Sequence, residues 1–513
     1  MKNILIRSAI MGCSLLFATS ACNDFLDEEV QGQLSDVQFY QNEADASQAV
    51  SAIYDMLMQD NPGGAWTSLW MTKVLPSDEA YAGGGSTTDQ QQYQDLDDFN
   101  YDEANTAVIG AWRNLYATIY RANQVINNIN PEESELMRRF VAEAKTLRAY
   151  SYMELVSLWG PVPIVPGLVG ASEYGEYPRM SEEEVYQLIE ADLTDAIAAL
   201  PVKSNYATTE QWRVSKGTAQ ALLGKAHLYQ QEYSAALTQL EAVIGSGEYG
   251  LEPSVAEAFS VENEFGQESV FEVSYTTREN YTQGNFPWGN NESFIHIQLS
   301  GPRGDNYRPA PNDSLIGGWG FMNPTEKLYD AVVETEEGSD AMERYWSTLM
   351  TVEDLQALGG DWVGQAHDFE GIIRRKYGTF VTEAAGSTEQ VNYGTNLRVI
   401  RYADVLLMAA EAHLLAPDGN PALALEYINR VRERSELVPL TAVAIEDIVR
   451  ERFVELAFEG HRFQDLLRWD MAGLVSIEDA LGSFGFRPRF MHFPIPVEDV
   501  QIAGLEQNPG YGQ

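Results

Sequence analysis

Apolar residues recur every three to four positions along most of the chain, which is the spacing of an amphipathic helix. This pattern predicts helices over residues 44–58, 105–128, 133–159 and 181–200. The third of these should stop at Gly160, because Pro161 follows it directly. Ser181 and Glu184 have the spacing of a capping box, which marks the start of the fourth helix. The pattern therefore predicts a mostly α-helical protein.

The segment from Lys216 to Gly245 has the residue spacing of a tetratricopeptide unit, a helix pair with a period of about 34 residues. Its small residues Gly224 and Ala236 would let the two helices approach each other closely. Residues 401–415 and 421–434 repeat the helix-pair pattern more loosely. One pair cannot bury its own apolar face, so we expect at least about three pairs to stack into a scaffold.

A further amphipathic stretch lies between Ile445 and Trp469, and Gly460 is expected to end its first helix. Glu459, His461 and Asp465 could be interpreted as an acid–base cluster. However, arginines and carboxylates that alternate at three- and four-residue spacing usually form ion pairs between packed helices. We therefore predict a structural role for these side chains.

The region from 250 to 394 differs from the rest, because glycine, asparagine and proline are frequent in it. Residues 269–275 and 371–377 alternate in the manner of short strands. We interpret residues 250–394 as an irregular, loop-rich insertion that carries the ligand-binding region. Residues 22–249 and 395–513 would form the helical scaffold, and residues 22–513 would be one unit.

The tryptophans fall into two groups according to their sequence context. One group lies in predicted helices and should be buried: Trp112, Trp159, Trp346 and Trp469. The other lies in loop-like segments: Trp66, Trp70, Trp288, Trp319 and Trp362. Loops commonly carry function, and the C–H face of a sugar ring stacks on a flat indole. The alternative is that each indole anchors its own loop, since tryptophan is buried on average.

We predict a shallow aromatic platform built mainly from Trp288 and Trp319, with Trp66, Trp70 or Tyr81 contributing from the loop after the first helix. Gly289 follows Trp288, and Gly318 and Gly320 flank Trp319; these glycines free the backbone to present the rings. Side chains suited to bind hydroxyl groups lie nearby in the sequence: Asn290, Asn291, Arg308 and Asn323.

The first residues have the features of a bacterial signal peptide. Lys2 and Arg7 precede the short apolar run of residues 10–18, and small residues lead to Cys22. Cys13 is the only other cysteine and lies within the apolar run. We expect residues 1–21 to be removed and Cys22 to carry the acyl chains that anchor the protein to a membrane. The alternative is a secreted protein with an incidental thiol.

Composition excludes several classes of function. The formal net charge of −43 argues against binding to nucleic acid or adsorption to an anionic lipid surface. The six histidines form no HExxH motif, and neither a GxSxG elbow nor a P-loop occurs. An acidic run at residues 95–102 mimics a calcium loop but lacks its glycine and its final glutamate. We therefore expect neither a cofactor nor a metal.

Four blocks near the C-terminus resemble the SusD/RagB family of outer-membrane nutrient-binding lipoproteins. They are ERFVELAFEGHRFQDLLRW at 451–469, RYADVLLMAAEA at 401–412, INRVRER at 428–434, and FPIPVEDV at 493–500 followed by QNPGYGQ. The acidic residues after Cys22 resemble the cell-surface signal of Bacteroidetes-type lipoproteins. The resemblance implies a right-handed scaffold of tetratricopeptide-like helix pairs.

In function, the resemblance implies a non-catalytic, lipid-anchored protein on the outside of the outer membrane. Such a protein captures oligosaccharides and delivers them to a SusC-like TonB-dependent transporter. Three alternatives stay open from the sequence: a peptide-binding RagB-like uptake protein, a surface glycosidase with a pair of carboxylates, and a transporter lid without a ligand of its own.

Overall fold

A computed structural model describes residue 40 and residues 42–58, 67–167, 169, 173–277, 292–384 and 391–512. From Ser47 onward the chain forms one compact unit. Several residues predicted to be functional lie outside the described residues: Cys22, Trp66, Trp288, Asn290 and Asn291. The signal peptide predicted for residues 1–21 also lies outside them.

Helices dominate the described part of the chain. They are α1 (Glu43–Leu57), α2 (Leu69–Val74), α3 (Gln91–Asp97), α4 (Thr106–Asn128), α5 (Glu135–Trp159), α6 (Glu182–Ala199), α7 (Lys216–Tyr229), α8 (Tyr233–Ile244), α9 (Val255–Phe259), α10 (Ile295–Ser300), α11 (Glu326–Thr335), α12 (Glu343–Thr348), α13 (Val352–Ala357), α14 (Tyr402–Leu415), α15 (Pro421–Arg434), α16 (Ile445–Glu455), α17 (Arg462–Met471), α18 (Ile477–Leu481) and α19 (Val497–Ile502). The prediction of a mostly helical fold is confirmed.

The scaffold is an array in which each long helix packs on the next. The order of packing is α4, α5, α6, α7, α8, α14 and α15, so the pairs predicted at 216–245 and 401–434 are neighbours in it. A Cβ atom placed on Gly224 of α7 would lie 2.7 Å from Cγ of Leu240 on α8. Glycine at this position therefore permits the close helix approach that is typical of tetratricopeptide units, as predicted.

The strands are short and pair in twos. They are β1 (Ala80–Gly83), β2 (Val162–Pro163), β3 (Arg179–Met180), β4 (Ser269–Val273), β5 (Tyr307–Arg308), β6 (Phe321–Pro324), β7 (Leu349–Thr351), β8 (Asp361–Trp362), β9 (Ile372–Arg374) and β10 (Leu397–Arg401). The pairs are β1–β6, β2–β3, β4–β10, β5–β8 and β7–β9, all antiparallel. β4 lies in the first part of the loop-rich insertion, and β10 follows directly after the insertion. Their pairing therefore brings the start and the end of the insertion close together. The insertion also contains α9 to α13, so it is more helical than its sequence predicted.

The helix predicted to run to Gly460 ends earlier, at Glu455. Phe458 and Gly460 both adopt left-handed backbone conformations, with φ of 63° and 77°. Side chains from elsewhere bind the carbonyl groups released there: Lys376 Nζ donates to Glu455 O at 2.8 Å, and Trp70 Nε1 donates to Phe458 O at 2.6 Å. These tertiary donors replace the helical hydrogen bonds and explain the early end.

The structural role predicted for Glu459 and Asp465 is confirmed by a buried network of ion pairs. Glu459 accepts from Arg401 and Lys376, at 2.7 and 2.9 Å. Asp465 accepts from Nε of Arg452 at 2.7 Å. All of these side chains are buried, and the network joins α14, α16 and α17 to β10 and the insertion.

The burial of the helical tryptophans was predicted correctly in three cases of four. Trp112, Trp159 and Trp469 are buried, whereas Trp346 is 39% exposed. Trp346 lies in the short helix α12, where its neighbour Tyr345 takes the buried side. The prediction of a core position for Trp346 was therefore wrong.

Candidate functional site

The predicted residues Tyr81 and Trp319 lie on two segments that the β1–β6 pair joins. Tyr81 lies opposite Asn323 in this ladder, and Gly83 lies opposite Phe321. Beyond the ladder, Gly84 N donates to Gly320 O at 2.7 Å. A Cβ atom on Gly83 would overlap that same carbonyl oxygen, so only glycine fits. Trp319 therefore sits on the segment that directly continues the pairing of Tyr81.

A close crossing of two glycine-rich segments, residues 301–304 and 317–320, fixes the backbone of Trp319. Gly318 N donates to Pro302 O at 2.6 Å, and Gly304 N donates to Gly318 O at 2.9 Å. A Cβ atom on Gly318 would lie 2.6 Å from the Cα atom of Gly301. The glycines are needed here because the two backbones touch.

The indole of Trp319 is half-buried and packs against Ile295 and Val391. Its backbone is held on both sides: Trp319 N donates to Gln298 O at 3.0 Å, and Arg303 Nη1 donates to Trp319 O at 3.0 Å. The ring is thus anchored to the protein and also partly open to solvent. A ring held in this way loses little freedom when a ligand stacks on it.

Charged side chains lie beside the backbone of Trp319 and beside Gly85. Arg303 Nη2 forms an ion pair with Asp305 Oδ2 at 3.0 Å. A Cβ atom on Gly85 would lie 3.5 Å from Arg303 Nη2 and 3.1 Å from Asp89 Oδ2, so both side chains flank Gly85. Sequence reasoning missed Arg303 and Asp89 as site residues. The signal that could have found them is the pair of glycine clusters at 83–85 and 317–320.

Tyr81 presents a partly exposed phenol at the other end of this surface. Its hydroxyl donates to Glu370 Oε1 at 3.3 Å, and its ring centroid lies 6.0 Å from that of Phe484. Burial, together with the charge of Glu370, raises the pKa of Tyr81 to about 12. The phenol is therefore protonated at neutral pH and can exchange hydrogen bonds with a ligand hydroxyl.

Buried polar side chains support β1 and β6 from below. Asn323 Nδ2 donates to the carbonyl oxygens of His367 and Asp368 at 3.2 and 3.0 Å. The side-chain amide that was predicted to contact a ligand therefore bonds to the protein backbone. Asn323 is buried, so that expectation is corrected. Asp97 Oδ2 accepts from Ala82 N at 2.7 Å, and burial raises the pKa of Asp97 well above its usual value. Its place in the acidic run is therefore structural.

Trp70 does not belong to the exposed surface. It is 3% exposed, its Nε1 donates to Phe458 O, and its ring centroid lies 5.3 Å from those of Phe294 and Tyr377. The prediction that Trp70 contributes to the platform was wrong, because its loop forms the helix α2 and turns the indole into the core.

Arg308, in contrast, is exposed and belongs to the same turn as Arg303. Its Nη1 donates to Gly304 O at 3.3 Å. Its Nη2 donates to Asp305 O at 3.2 Å. Tyr81 and Trp319 thus lie in or next to the β1–β6 pair, and Arg308 lies in the turn at 303–308.

Comparison with known proteins identifies the family of this chain. Residues 334–485 match the model of the SusD family, and residues 24–228 match a second model described as "Starch-binding associating with outer membrane". A solved structure named as a laminarin-binding SusD-like protein is 32% identical and has a TM-score of 0.81. The match covers 92% of this chain and 100% of that one. The chain belongs to the SusD family.

Other SusD-family proteins match over nearly the whole chain. SusD-like protein P25 of Formosa agariphila is 26% identical, and the match covers 97% of both chains. Surface glycan-binding protein A from Bacteroides thetaiotaomicron, solved in complex with laminarihexaose, has a TM-score of 0.75. Its identity is 23%, with 91% of this chain and 99% of that one covered, so this likeness concerns the fold. These matches confirm the SusD-like, tetratricopeptide-like helical architecture.

The family description also points to association with the outer membrane. Within the described residues, no helix combines the length and the apolar character that crossing a bilayer requires.

Proposed function

We propose that this SusD-family protein binds glycans at the cell surface without catalysis and passes them to a SusC-like TonB-dependent transporter. The observation that carries the proposal is the surface formed by Trp319 and Tyr81. The indole there is held by the glycine crossing, and Arg303 bonds both to the Trp319 carbonyl and to the Asp305 carboxylate. A flat aromatic face with flanking hydrogen-bonding groups is the combination that suits a sugar ring.

The relative at 32% identity, which is named for laminarin binding, makes laminarin the first glycan to test. Glucose rings present C–H faces that can stack on Trp319, and their hydroxyl groups can bond to Arg308 and Asp89. A neutral glycan also suits this acidic chain, because it brings no negative charge against a net charge of −43. The positions predicted in the segment 278–291, Trp288, Asn290 and Asn291, remain proposed contributors.

The carboxylates of the surface favour binding over hydrolysis. A glycosidase needs a pair of carboxyl groups that flank the bond that it cleaves and act on it directly. Here Asp89 accepts from Gly85 N at 2.8 Å, Asp305 pairs with Arg303, and Glu370 accepts from Tyr81 and from Glu326 N. Each of these groups is engaged in holding the loops of the surface in place.

The membrane anchor and the transporter complete the proposal. Cys22 would carry the acyl chains and hold the protein on the outer face of the outer membrane, as its position after the signal segment indicates. The SusC-like transporter would receive the glycan from the bound state. Binding should be modest, with a Kd of roughly 1 μM to 1 mM, because stacking must offset the ordering of a flexible glycan.

The test is affinity electrophoresis of purified protein against laminarin and a panel of other polysaccharides. Trp319→Ala should weaken binding about 2- to 10-fold, the loss expected when one aromatic contact is removed. Arg308→Ala, at an exposed position, should also weaken binding and should not disturb folding. Trp346→Ala is the matched control, because this indole is exposed on helix α12, which belongs neither to the β1–β6 pair nor to the turn at 303–308.

Different outcomes separate the alternatives. Unchanged retardation of both site variants would place the glycan elsewhere. Binding of peptides but of no glycan would favour a RagB-like uptake protein. Release of reducing ends from polysaccharide would indicate a glycosidase. Copurification with the transporter and no affinity for either ligand class would indicate a lid.

A further inference from the structure

Three potential metal ligands converge on the helical scaffold, in residues that neither the glycan surface nor the ion-pair network includes. Glu190 lies on α6, His227 lies near the end of α7, and Glu232 precedes α8. One ligand atom from each residue lies within 4.8 Å of the other two. His227 Nδ1 is 2.7 Å from Glu232 Oε2 and 3.9 Å from Glu190 Oε1.

Two hydrogen bonds outside the cluster hold its residues in place. Glu232 N donates to His227 O at 2.8 Å across the turn after α7, in which Gln231 has a φ of 62°. This bond ties the two residues together. Gln230 Nε2 donates to Glu190 Oε1 at 2.8 Å and orients that carboxylate. Outer hydrogen bonds of this kind hold the ligands in many metal sites.

Charge is poorly balanced in this cluster. Both carboxylates approach the same imidazole nitrogen, which has at most one proton to share, and only Glu232 lies within hydrogen-bonding distance of it. A divalent cation in place of that proton would bind all three groups and would neutralise both carboxylates. The strongly acidic chain adds a general attraction for cations.

We propose that Glu190, His227 and Glu232 bind a divalent transition-metal ion of the Zn²⁺ class. One imidazole nitrogen and two carboxylate oxygens suit Zn²⁺, whereas Ca²⁺ and Mg²⁺ prefer ligand sets made of oxygen alone. The side chain of His227 is 14% exposed, while those of Glu190 and Glu232 are 31% and 51% exposed. The ion therefore has access from solvent, and water completes its coordination. Bound metal would join α6 to the α7–α8 pair.

The test is isothermal titration of the purified, chelator-treated protein with Zn²⁺. We expect wild type to bind one equivalent of Zn²⁺. The association constant should fall about tenfold or more in Glu190→Gln and in His227→Ala, because loss of a metal ligand should cost at least as much affinity as loss of a residue that hydrogen-bonds to a ligand. Glu190→Gln keeps an oxygen that can accept from Gln230, so it preserves local packing. Zn²⁺ should also raise the melting temperature of wild type more than that of either variant.

His413→Ala is the matched control, because His413 contacts a single carboxylate, Glu241, at 2.8 Å. It should bind Zn²⁺ as wild type does. Titration with Ca²⁺ should show no comparable site. The proposal fails if wild type and Glu190→Gln give the same isotherm, which would indicate unspecific binding to surface carboxylates, or if His413→Ala abolishes the binding.

Discussion

At the scale of single residues, nearby opposite charges decide whether a buried ionisable group in this protein keeps its charge. Burial alone would raise the pKa of Glu455, but Arg434, Arg344 and Arg401 together hold it well below its usual value. Removing one partner of such a buried pair typically costs about 3–5 kcal/mol, because the remaining charge is left without compensation. Loss of a single partner should therefore destabilise the fold, and these buried pairs account for the charge of the 451–469 block.

Glu264 shows the opposite balance at the base of the insertion. Burial raises its pKa to about 8, and Arg398, at 3.7 Å, offsets this only in part. Asn396 N donates to its Oε1 at 2.7 Å. Between these two pKa values the folded protein thus keeps a proton on Glu264. The unfolded chain would release that proton, because an ordinary glutamate has a pKa of about 4.3.

We predict that Glu264→Gln changes the pH dependence of stability. A raised carboxyl pKa contributes stability that is present below the unfolded pKa and is lost as pH rises towards about 8. Glutamine mimics the protonated form, so the melting temperature of the variant should exceed that of wild type by a margin that grows between about pH 5 and pH 8. Glu262→Gln, at a nearby exposed carboxylate, is the control. Parallel curves for wild type and Glu264→Gln would refute the prediction.

At the scale of elements, the α7–α8 pair depends on the absence of one side chain. A methyl group on Gly224 would overlap Leu240 at 2.7 Å. Replacing glycine by alanine in a helix gains about 1 kcal/mol in propensity, whereas overpacking a core costs about 1–3 kcal/mol. The steric cost exceeds the gain in helix propensity. The close contact between the two helices therefore favours glycine over alanine at position 224.

Accordingly, Gly224→Ala should lower the free energy of unfolding by about 1 kcal/mol, as measured by denaturant titration. Gly482→Ala provides the comparison, because Gly482 has helical dihedral angles and a Cβ atom there would meet no atom within 4 Å. That variant should be neutral or slightly more stable. Equal behaviour of the two variants would show that the helix approach is not tight.

A second prediction at this scale concerns the apolar face of α16. Phe453 is 6% exposed, and the guanidinium carbon of Arg462 lies 4.1 Å from its ring centroid. Phe453→Ala should lower the free energy of unfolding by about 3–5 kcal/mol, the usual cost of emptying a packed aromatic position. Val438→Ala, at a position that is 55% exposed, should have little effect. An unchanged unfolding curve for Phe453→Ala would contradict the assigned helix face.

At the scale of the whole molecule, the proposed anchor and the proposed glycan surface have separate tests. Cys22→Ser should move the protein from the membrane fraction to the soluble fraction, because the lost acyl chains are its expected attachment. The experiment is fractionation in cells that lack the partner transporter, and Cys13→Ser is the control. Membrane retention of Cys22→Ser in those cells would exclude lipidation at this residue. Glycan binding by the released protein should be unchanged.

The sequence by itself determined the helical architecture and the family. Helix periodicity is local, and it predicted α4 to α8 because their apolar faces repeat within a few residues. The 451–469 block identified the family for a related reason. Its charged side chains pair inside the core, partly with one another, as Arg452 does with Asp465, and partly with distant residues, as Glu459 does with Arg401, so their order along the chain is constrained.

Tertiary structure alone decided which tryptophans face solvent. Trp70 and Trp319 both lie in stretches predicted to be loops. The Trp70 indole is buried and donates to the carbonyl oxygen of Phe458, whereas the crossing of the two glycine-rich segments leaves the Trp319 indole half-buried. The partners of each ring come from distant parts of the chain, and no local pattern encodes such contacts. For the same reason the sequence missed Arg303, which becomes part of the surface only when residues 301–304 meet residues 317–320.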